Sequence, residues 1–235
     1  MGKNLIQQRR GRGTARFRAR SFRYAGTVCY PSDKAFEGKV TDIVHSAGHS
    51  SPVASVLSSE KKDILMFAPH GLSVGDSVQA GENVEIKAGN VLPLKNIPTG
   101  TSIYNLESTP GDGGKFVRAS GTSAKVMVKS DGSVTVMLPS KRMHDFNPKC
   151  RATIGMIAGS GRIEKPLYKA GRKYHKMRAR NKLYPHVCAL SMNAVAHPFG
   201  GSRSSKKGKP MIARRNAPPG AKVGLIRPSR TGKKR

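Results

Sequence analysis

The sequence has no tryptophan, only three cysteines, and no acidic residue after Glu164. Cys29, Cys150 and Cys188 lie far apart, which argues against a disulfide framework and a cysteine-based zinc motif and indicates a reducing compartment. Aromatic residues make up only 6% of the 235 residues. We therefore expect a small, mainly aliphatic core.

Long apolar segments are also missing. No run of about 18 apolar residues occurs, so we expect no membrane span, and the N-terminus lacks the apolar core of a signal peptide. An arginine-rich, acid-free N-terminus is also typical of a mitochondrial transit peptide. The C-terminus has the same chemistry and cannot be one, which makes that interpretation the weaker one.

What the sequence has in excess is positive charge, with a formal net charge of +30. Residues 1–30 contain eight Lys and Arg, and residues 166–235 contain nineteen, with no acid in either region. The thirteen acids all fall in residues 31–165, among sixteen Lys and Arg. Self-repulsion on this scale is relieved by a polyanion, so we predict a globular centre between two basic arms that bind nucleic acid.

The N-terminal arm interleaves arginine with Phe17, Phe22 and Tyr24. Arginine outnumbers lysine seven to one before residue 31. Arginine matches phosphate geometry and stacks on bases, and the aromatic rings add stacking surfaces, so RNA binding is favoured over a merely solvated tail. The predicted RNA-binding residues of this arm are Arg9, Arg10, Arg12, Arg16, Arg18, Arg20 and Arg23.

The centre has the pattern of an all-β core. Short apolar runs at residues 40–44, 53–57 and 64–68 are separated by turn residues, and residues 124–128 and 134–138 alternate in hydrophobicity on either side of an Asp-Gly turn. These lengths fit two small barrels in tandem better than one large sandwich. We predict barrels at residues 35–88 and 89–165, flanked by basic extensions at residues 1–34 and 166–235.

The C-terminal extension begins with a short basic helix predicted within residues 166–180, where Leu167, Ala170 and Tyr174 lie roughly on one side. Between Phe199 and Met211 the chain has no apolar residue, so we expect this loop to be shaped by an RNA pressed against it. The predicted RNA-binding residues here are Lys169, Arg172, Lys173, His175, Lys176, Arg178, Arg180, Lys182, Asn193, His197, Arg203, Lys206, Lys207, Lys209, Arg214 and Arg215.

Catalytic chemistry is weakly supported. The Gly-rich residues 111–116 lack the spacing of a phosphate-binding loop and are better explained as a β-turn. Only His197 has a specific hypothesis, as a proton donor, and a packing role inside an RNA-buried turn is favoured over it. We therefore predict a protein that is not an enzyme, with no catalytic residue and no metal site.

Two motifs resemble the universal large-subunit ribosomal protein L-two family. They are Lys-Ala-Gly-Arg-Lys-Tyr-His-Lys-Met at residues 169–177 and Met-Asn-Ala-Val-Ala-His-Pro-Phe-Gly-Gly at residues 192–201. The Arg-Gly-Arg-Gly arm and the Asn-Ile-Pro-Thr-Gly-Thr segment at residues 96–101 add support, and the resemblance covers essentially the whole chain. Phe199 and Ala194 are similar to the archaeal branch, since bacterial members usually carry His and Pro there.

The resemblance implies an oligonucleotide-binding-like barrel followed by an SH3-like barrel, in a cytoplasmic protein of the ribosome. It also implies binding to large-subunit rRNA near the peptidyl-transferase region, with support of subunit association, tRNA placement and peptide-bond formation. The implied partners are large-subunit rRNA, other ribosomal proteins and, at the subunit interface, tRNA and small-subunit rRNA, with no membrane and no homo-oligomer. No cofactor is implied, and Mg²⁺ bridging between the arms and rRNA stays open.

The chain departs from the family at two positions. The family usually has Asp before the His and a further Gly after the Gly pair, where this chain has Ala196 and Ser202. If the acid orients the His, its absence favours a structural role for His197.

Two other classes stay open on the residues alone. A general nucleic-acid compaction or RNA-chaperone protein would bind bulk duplex DNA as well as rRNA. An RNA-modifying enzyme with a β-barrel domain would turn over without rRNA and would lose that turnover when His197 or a barrel acid is replaced.

Overall fold

The computed structural model describes residues 3–18, 22, 24–31, 35–59, 63–197 and 199–201. The chain divides into two compact units. Ala19–Arg180 forms one, and Met1–Arg18 with Asn181–Arg235 forms the other.

The described residues form ten strands in one mostly antiparallel sheet, which confirms the predicted all-β core. In chain order the strands are β1 (Phe36–Val44), β2 (Val53–Ser58), β3 (Asp63–Phe67), β4 (Ser77–Ala80), β5 (Val91–Pro93), β6 (Ser102–Tyr104), β7 (Ala124–Lys129), β8 (Val134–Met137), β9 (Met143–Phe146) and β10 (Arg151–Ile154). Their order across the sheet is β3-β2-β1-β4-β5-β10-β6-β7-β8-β9.

Strands β1, β2 and β3 form an antiparallel meander at the three predicted apolar runs. Gly38 of β1 lies where the strands approach most closely. A Cβ there would be 2.6 Å from the Val56 side chain and 2.9 Å from the carbonyl oxygen of Leu57. Only glycine fits this position without moving backbone, so Gly38 fixes the spacing of β1 and β2.

The middle of the sheet is built from the short strands β4, β5 and β10, of which β5 has no signal in the sequence pattern. β4 runs parallel to β5, with Ala80 opposite Val91, and β5 pairs antiparallel with β10, with Leu92 opposite Ala152. All three residues of β5 are buried. A strand buried on both faces shows no alternation, and three residues are too few to reveal a period.

The predicted hairpin is confirmed as β7 and β8, closed by hydrogen bonds between the backbones of Ser130 and Ser133. The buried face of β7 contains fewer residues than the alternating pattern predicts. Val126 is fully buried, whereas Val128 is 55% exposed, because the register shifts between these two residues. A bulge of this kind turns the following side chains to the other face of the strand.

Within the part of the chain that the structure describes, buried apolar side chains form three clusters. One gathers residues between 30 and 91, and a second gathers residues between 92 and 154. A third cluster takes its members from both sides of that division: Val28, Val53, Phe67, Tyr104 and Ile157. The shared cluster explains why Ala19–Arg180 forms a single compact unit.

A buried polar network lies beside β10. The fully buried Glu107 accepts hydrogen bonds from Arg151, at 2.9 Å from Nη2, 3.1 Å from Nε and 2.8 Å from the backbone N. The same guanidinium lies over the ring of Tyr30, 5.2 Å from its centroid. The Tyr30 hydroxyl donates to the Asn105 carbonyl oxygen at 2.7 Å and lies 2.6 Å from Thr153 Oγ1. Burial raises the pKa of Tyr30 above its ordinary value, so the hydroxyl keeps its proton.

Two α-helices lie outside the sheet in the described residues. Helix α1 (Ile6–Gly11) belongs to the unit with the chain termini, and helix α2 (Ala170–Ala179) ends the unit with the sheet. Helix α2 confirms the helix predicted within residues 166–180, although Leu167 lies before it. Neither helix has the length and apolar character needed to cross a membrane, and no other described helix does.

Candidate nucleic-acid interface

Helix α2 presents cations to solvent along its whole length. No residue of the helix is buried, and its first turn contains no acid and no side-chain cap. Arg172 and Lys176 are four residues apart, so their like charges repel on one side of the helix. The predicted residues exposed here are Lys169, Arg172, Lys173, His175 and Arg178, and Lys176 is half-buried. A polyanion along this helix would remove the repulsion.

Arg180 caps the C-terminal end of helix α2, and its side chain makes a hydrogen bond within the sheet unit. It is half-buried, and its Nη2 donates to the carbonyl oxygen of His49 at 3.4 Å. His49 also lies 2.8 Å, through Nδ1, from Ser46 Oγ. Burial, and then the charge of Arg118, lowers the pKa of His49. This cation therefore holds a turn of the sheet unit in addition to carrying charge.

The N-terminal segment is hydrogen-bonded to the chain after residue 181, within one unit. Asn181 Nδ2 donates to the carbonyl oxygens of Ala15, at 3.2 Å, and Arg18, and Lys3 N donates to the carbonyl oxygen of Val195 at 2.8 Å. The arginines of this segment that the structure describes are exposed: Arg9, Arg10, Arg12, Arg16 and Arg18. The backbone is thus held by other backbone and amide groups while the guanidinium groups stay available.

The His197 loop is closed by its own hydrogen bonds. The backbone N of His197 donates to the Asn193 carbonyl oxygen at 3.2 Å, and the Gly200 N donates to the His197 carbonyl oxygen at 2.9 Å. His197 is only 8% exposed, and its ring accepts a hydrogen bond at Nδ1 from the Phe199 N, at 3.1 Å. In the neutral ring the proton therefore sits on Nε2. The buried ring is therefore hydrogen-bonded within its own loop.

Gly200 allows this loop to close. A Cβ on Gly200 would collide with the carbonyl oxygens of Met192 and Asn193. Both oxygens are backbone atoms of the same loop, so a larger residue at Gly200 must push the loop open. The Asn193 side chain is exposed, and Lys182 is exposed near the start of the same segment.

A cleft of about 470 Å³ lies in the unit formed by the termini. Lys3 and Arg9 contribute to its wall from the N-terminal segment, and His186 and His197 contribute from the other. The remaining lining includes apolar side chains such as Met192. The structure thus brings predicted residues of both arms, Arg9 and His197, to one cleft.

Eight of the predicted residues lie outside the described part of the chain: Arg20, Arg23, Arg203, Lys206, Lys207, Lys209, Arg214 and Arg215. Their assignment to RNA binding stays a prediction.

The Gly-rich residues 111–114 form a turn, as predicted. Asp112 Oδ1 accepts from Gly114 N at 3.0 Å, and Asp112 Oδ2 accepts from Ser108 N at 2.9 Å. Glu107 takes the remaining donors, at 3.2 Å from Gly111 N and 3.3 Å from Gly113 N. The chain's own carboxylates therefore occupy the amides that a phosphate would need. The role of Glu107 was not predicted from the sequence, because no motif or residue spacing distinguishes it from the other acids.

Among the residues that the structure describes, no three His, Cys, Asp or Glu side chains lie close enough together to hold a metal ion. Cys150 is buried, and burial raises the pKa of its thiol to about 11, with the charge of Glu107 adding to the effect. Cys29 and Cys188 are exposed and free.

Comparison with known proteins decides the family. A family model described as ribosomal proteins L2, C-terminal domain, matches residues 87–220, more than half of the chain. The large ribosomal subunit protein uL2 of Archaeoglobus fulgidus is 48% identical over 237 residues, covering 100% of both chains. The chain belongs to the L2 family of ribosomal proteins. Similar proteins of the same name occur in Methanothermobacter thermautotrophicus, 46% identical over 241 residues, and Haloquadratum walsbyi, 48% identical over 236 residues.

Membership of the L2 family confirms the resemblance read from the motifs at residues 169–177 and 192–201, including its archaeal character. L2 proteins are structural components of the translation machinery, so the chain is a ribosomal protein and not an enzyme. The closed His197 loop needs no catalytic explanation in such a protein.

Proposed function

We propose that this L2 family member is a structural constituent of the large ribosomal subunit that binds large-subunit rRNA through the surfaces outside its sheet. The observation that carries the proposal is the separation of charge within the fold. Helix α2 and the N-terminal segment 3–18 expose cations and contain no acid, whereas every acid of the chain belongs to residues 31–165. A protein with this distribution attracts phosphate more strongly at its extensions than at its sheet.

The centre of the chain and its two extensions have different roles in rRNA binding. The centre is an oligonucleotide-binding-like barrel at residues 35–88 and an SH3-like barrel at residues 89–165, and the two give a rigid docking surface. The apolar clusters divide between residues 91 and 92, close to this boundary, which supports two separate cores. Residues 1–34 and 166–235 are the extensions, and their cations neutralise phosphates that would otherwise repel where RNA helices meet.

The His197 loop approaches the peptidyl-transferase region and supports it by shape. Its buried ring and its internal hydrogen bonds make it a preformed surface, which loses little conformational entropy on binding. Through this position the protein supports tRNA placement, peptide-bond formation by rRNA and association of the subunits. Its partners in that role are neighbouring ribosomal proteins, tRNA and small-subunit rRNA.

Competition separates rRNA binding from general polyanion binding. Labelled large-subunit rRNA is bound to the full chain, and unlabelled rRNA or duplex DNA of equal phosphate concentration is added. We expect rRNA to compete at far lower concentration than DNA, and binding to weaken with salt by about 0.7 to 0.9 log units per phosphate contact for each log unit of salt. Equal competition by duplex DNA would identify a compaction or chaperone protein and would refute the proposal.

A further inference from the structure

Tyr168 stands at an unusual turn directly before helix α2. Its φ is +54°, a left-handed conformation that bulky residues rarely adopt. The Lys169 N donates across it to the Leu167 carbonyl oxygen at 2.6 Å, a hydrogen bond between residues two apart. Positive φ with this bond defines the γ-turn of the rare and strained kind. Glycine would adopt the turn without strain, yet the chain carries a large aromatic residue there.

This γ-turn directs the aromatic ring out into solvent. Tyr168 is 84% exposed, more than any other tyrosine or phenylalanine that the structure describes as exposed. No hydrogen bond, ring contact or cation–π contact within the described residues involves its side chain. The strained backbone of Tyr168 is therefore not explained by a side-chain contact among the described residues. Strained backbone conformations cluster at functional and ligand-binding sites.

The charged residues near Tyr168 indicate which kind of ligand its ring would bind. Three cations, Lys165, Lys169 and Arg172, and one acid, Glu164, are exposed within four residues of it, and no acid follows Glu164 in the chain. An exposed ring among cations suits a planar apolar group that is flanked by negative charge. A base of unpaired RNA has that form, because each base has a stacking face and lies between two phosphates.

We propose that Tyr168 is a stacking platform for an unpaired RNA base, presented by the strained γ-turn. The cations next to it hold the phosphates on either side of that base. The proposal rests on the RNA binding proposed above and assigns one contact within it. A paired base in a duplex has both faces covered by its neighbours, so the platform selects single-stranded RNA.

The absence of tryptophan makes a site-specific test possible. Tyr168→Trp introduces one tryptophan into the chain, and Ile163→Trp places one at a matched position that is 82% exposed, five residues away. Each variant is titrated with a 12-nucleotide oligoadenylate and with an abasic oligomer of the same length, which keeps the phosphates. We expect the oligoadenylate to quench the fluorescence of the Tyr168→Trp variant much more than the abasic oligomer does, and neither oligomer to quench the Ile163→Trp variant strongly. Equal quenching of the Tyr168→Trp variant by the two oligomers would overturn the proposal.

Affinity for full-length large-subunit rRNA gives the second measurement. We expect Tyr168→Ala to weaken binding by about 5- to 150-fold, the usual range for one base stacked on an aromatic side chain, and Tyr168→Phe to bind within about twofold of wild type. Ile163→Ala is the matched control and should also bind within about twofold. Wild-type affinity in Tyr168→Ala would overturn the stacking proposal, whereas failure of the wild-type chain to bind rRNA would overturn the proposed function instead.

Thermal unfolding separates a binding role from a structural one. If Tyr168 is held in strain for RNA, Tyr168→Gly relieves the backbone and melts at least as high as Tyr168→Ala, while both lose rRNA affinity. A lower melting temperature for Tyr168→Gly than for Tyr168→Ala would show that the turn is unstrained and would count against the proposal.

Discussion

Replacing Glu107 by glutamine tests whether the buried ion pair holds the sheet together. Glu107 has no exposed surface, and the Arg151 side chain is 12% exposed. The carboxylate accepts from Gly111 N, Gly113 N and three donors of Arg151. Glu107→Gln leaves the arginine charge uncompensated and turns an NH₂ group toward groups that are themselves donors.

The size of the effect follows from burial. Removing one partner of a buried ion pair costs about 3–5 kcal/mol, whereas an exposed pair contributes about 0–1 kcal/mol. The chain offers a matched control in Lys95 and Glu82, which have the same 2.9 Å separation with side chains 44% and 70% exposed. Glu82→Gln therefore removes the same charge from a similar geometry without the burial.

The assay is urea unfolding of the full chain, followed by circular dichroism of the sheet. With a slope of about 1–3 kcal/mol per molar urea, Glu107→Gln should lower the unfolding midpoint by at least about 1 M, and Glu82→Gln should lower it by much less. Equal shifts for the two variants would show that burial makes no difference to the strength of the ion pair.

Four further predictions follow from the structure. At pH 8 a thiol reagent should modify Cys29 and Cys188 in the folded chain and reach Cys150 only on unfolding, since burial raises the pKa of Cys150 to about 11; equal rates at all three would contradict its burial. Gly200→Ala should speed hydrogen exchange at the Gly200 and Gly201 amides by opening the His197 loop, whereas Gly171→Ala, with nothing within 4 Å, should strengthen α2 by about 1 kcal/mol. The pKa of His49 is lower in the folded chain than in the unfolded chain, so the unfolded chain binds a proton there more readily. The contribution of neutral His49 to stability is therefore complete above about pH 6.5 and is lost as the pH falls below that value. The free energies of unfolding at pH 8 and pH 5 should differ less in His49→Gln than in His45→Gln, which replaces an exposed histidine as a control. His197→Ala should bind rRNA within about 1–2 kcal/mol of wild type, and a complete loss in filter binding would show instead that His197 is an RNA anchor.

The parts of the fold that the sequence predicts are those with a repeating local pattern. β7 and β8 alternate over residues 124–138 around an Asp-Gly turn, and the first three strands are β-branched runs bounded by turn residues. Helix α2 is predicted in spite of Gly171, because residues 169–180 are mostly good helix formers. In each case neighbouring residues alone determine the conformation.

The parts that the sequence does not predict depend on distant residues. β5 pairs with β4 and β10, and the latter pairing joins residues about 60 positions apart through three-residue segments without a period. Helix α1 lies in a segment whose charge suggested an extended arm, although Gln and Arg have good helix propensity. A positive φ at Tyr168 has no signal in sequence at all, since aromatic residues so rarely adopt it.

Cross-linking of RNA to protein within purified large subunits tests whether the basic extensions, and not the sheet, contact rRNA. Ultraviolet light joins RNA to the residues it touches, and mass spectrometry then identifies the linked peptides. We expect links in residues 3–18 and in residues 165–201, with Tyr168 among them, and few in strands β7 and β8. Links concentrated in the sheet, with none in either extension, would show that the sheet and not the extensions binds rRNA.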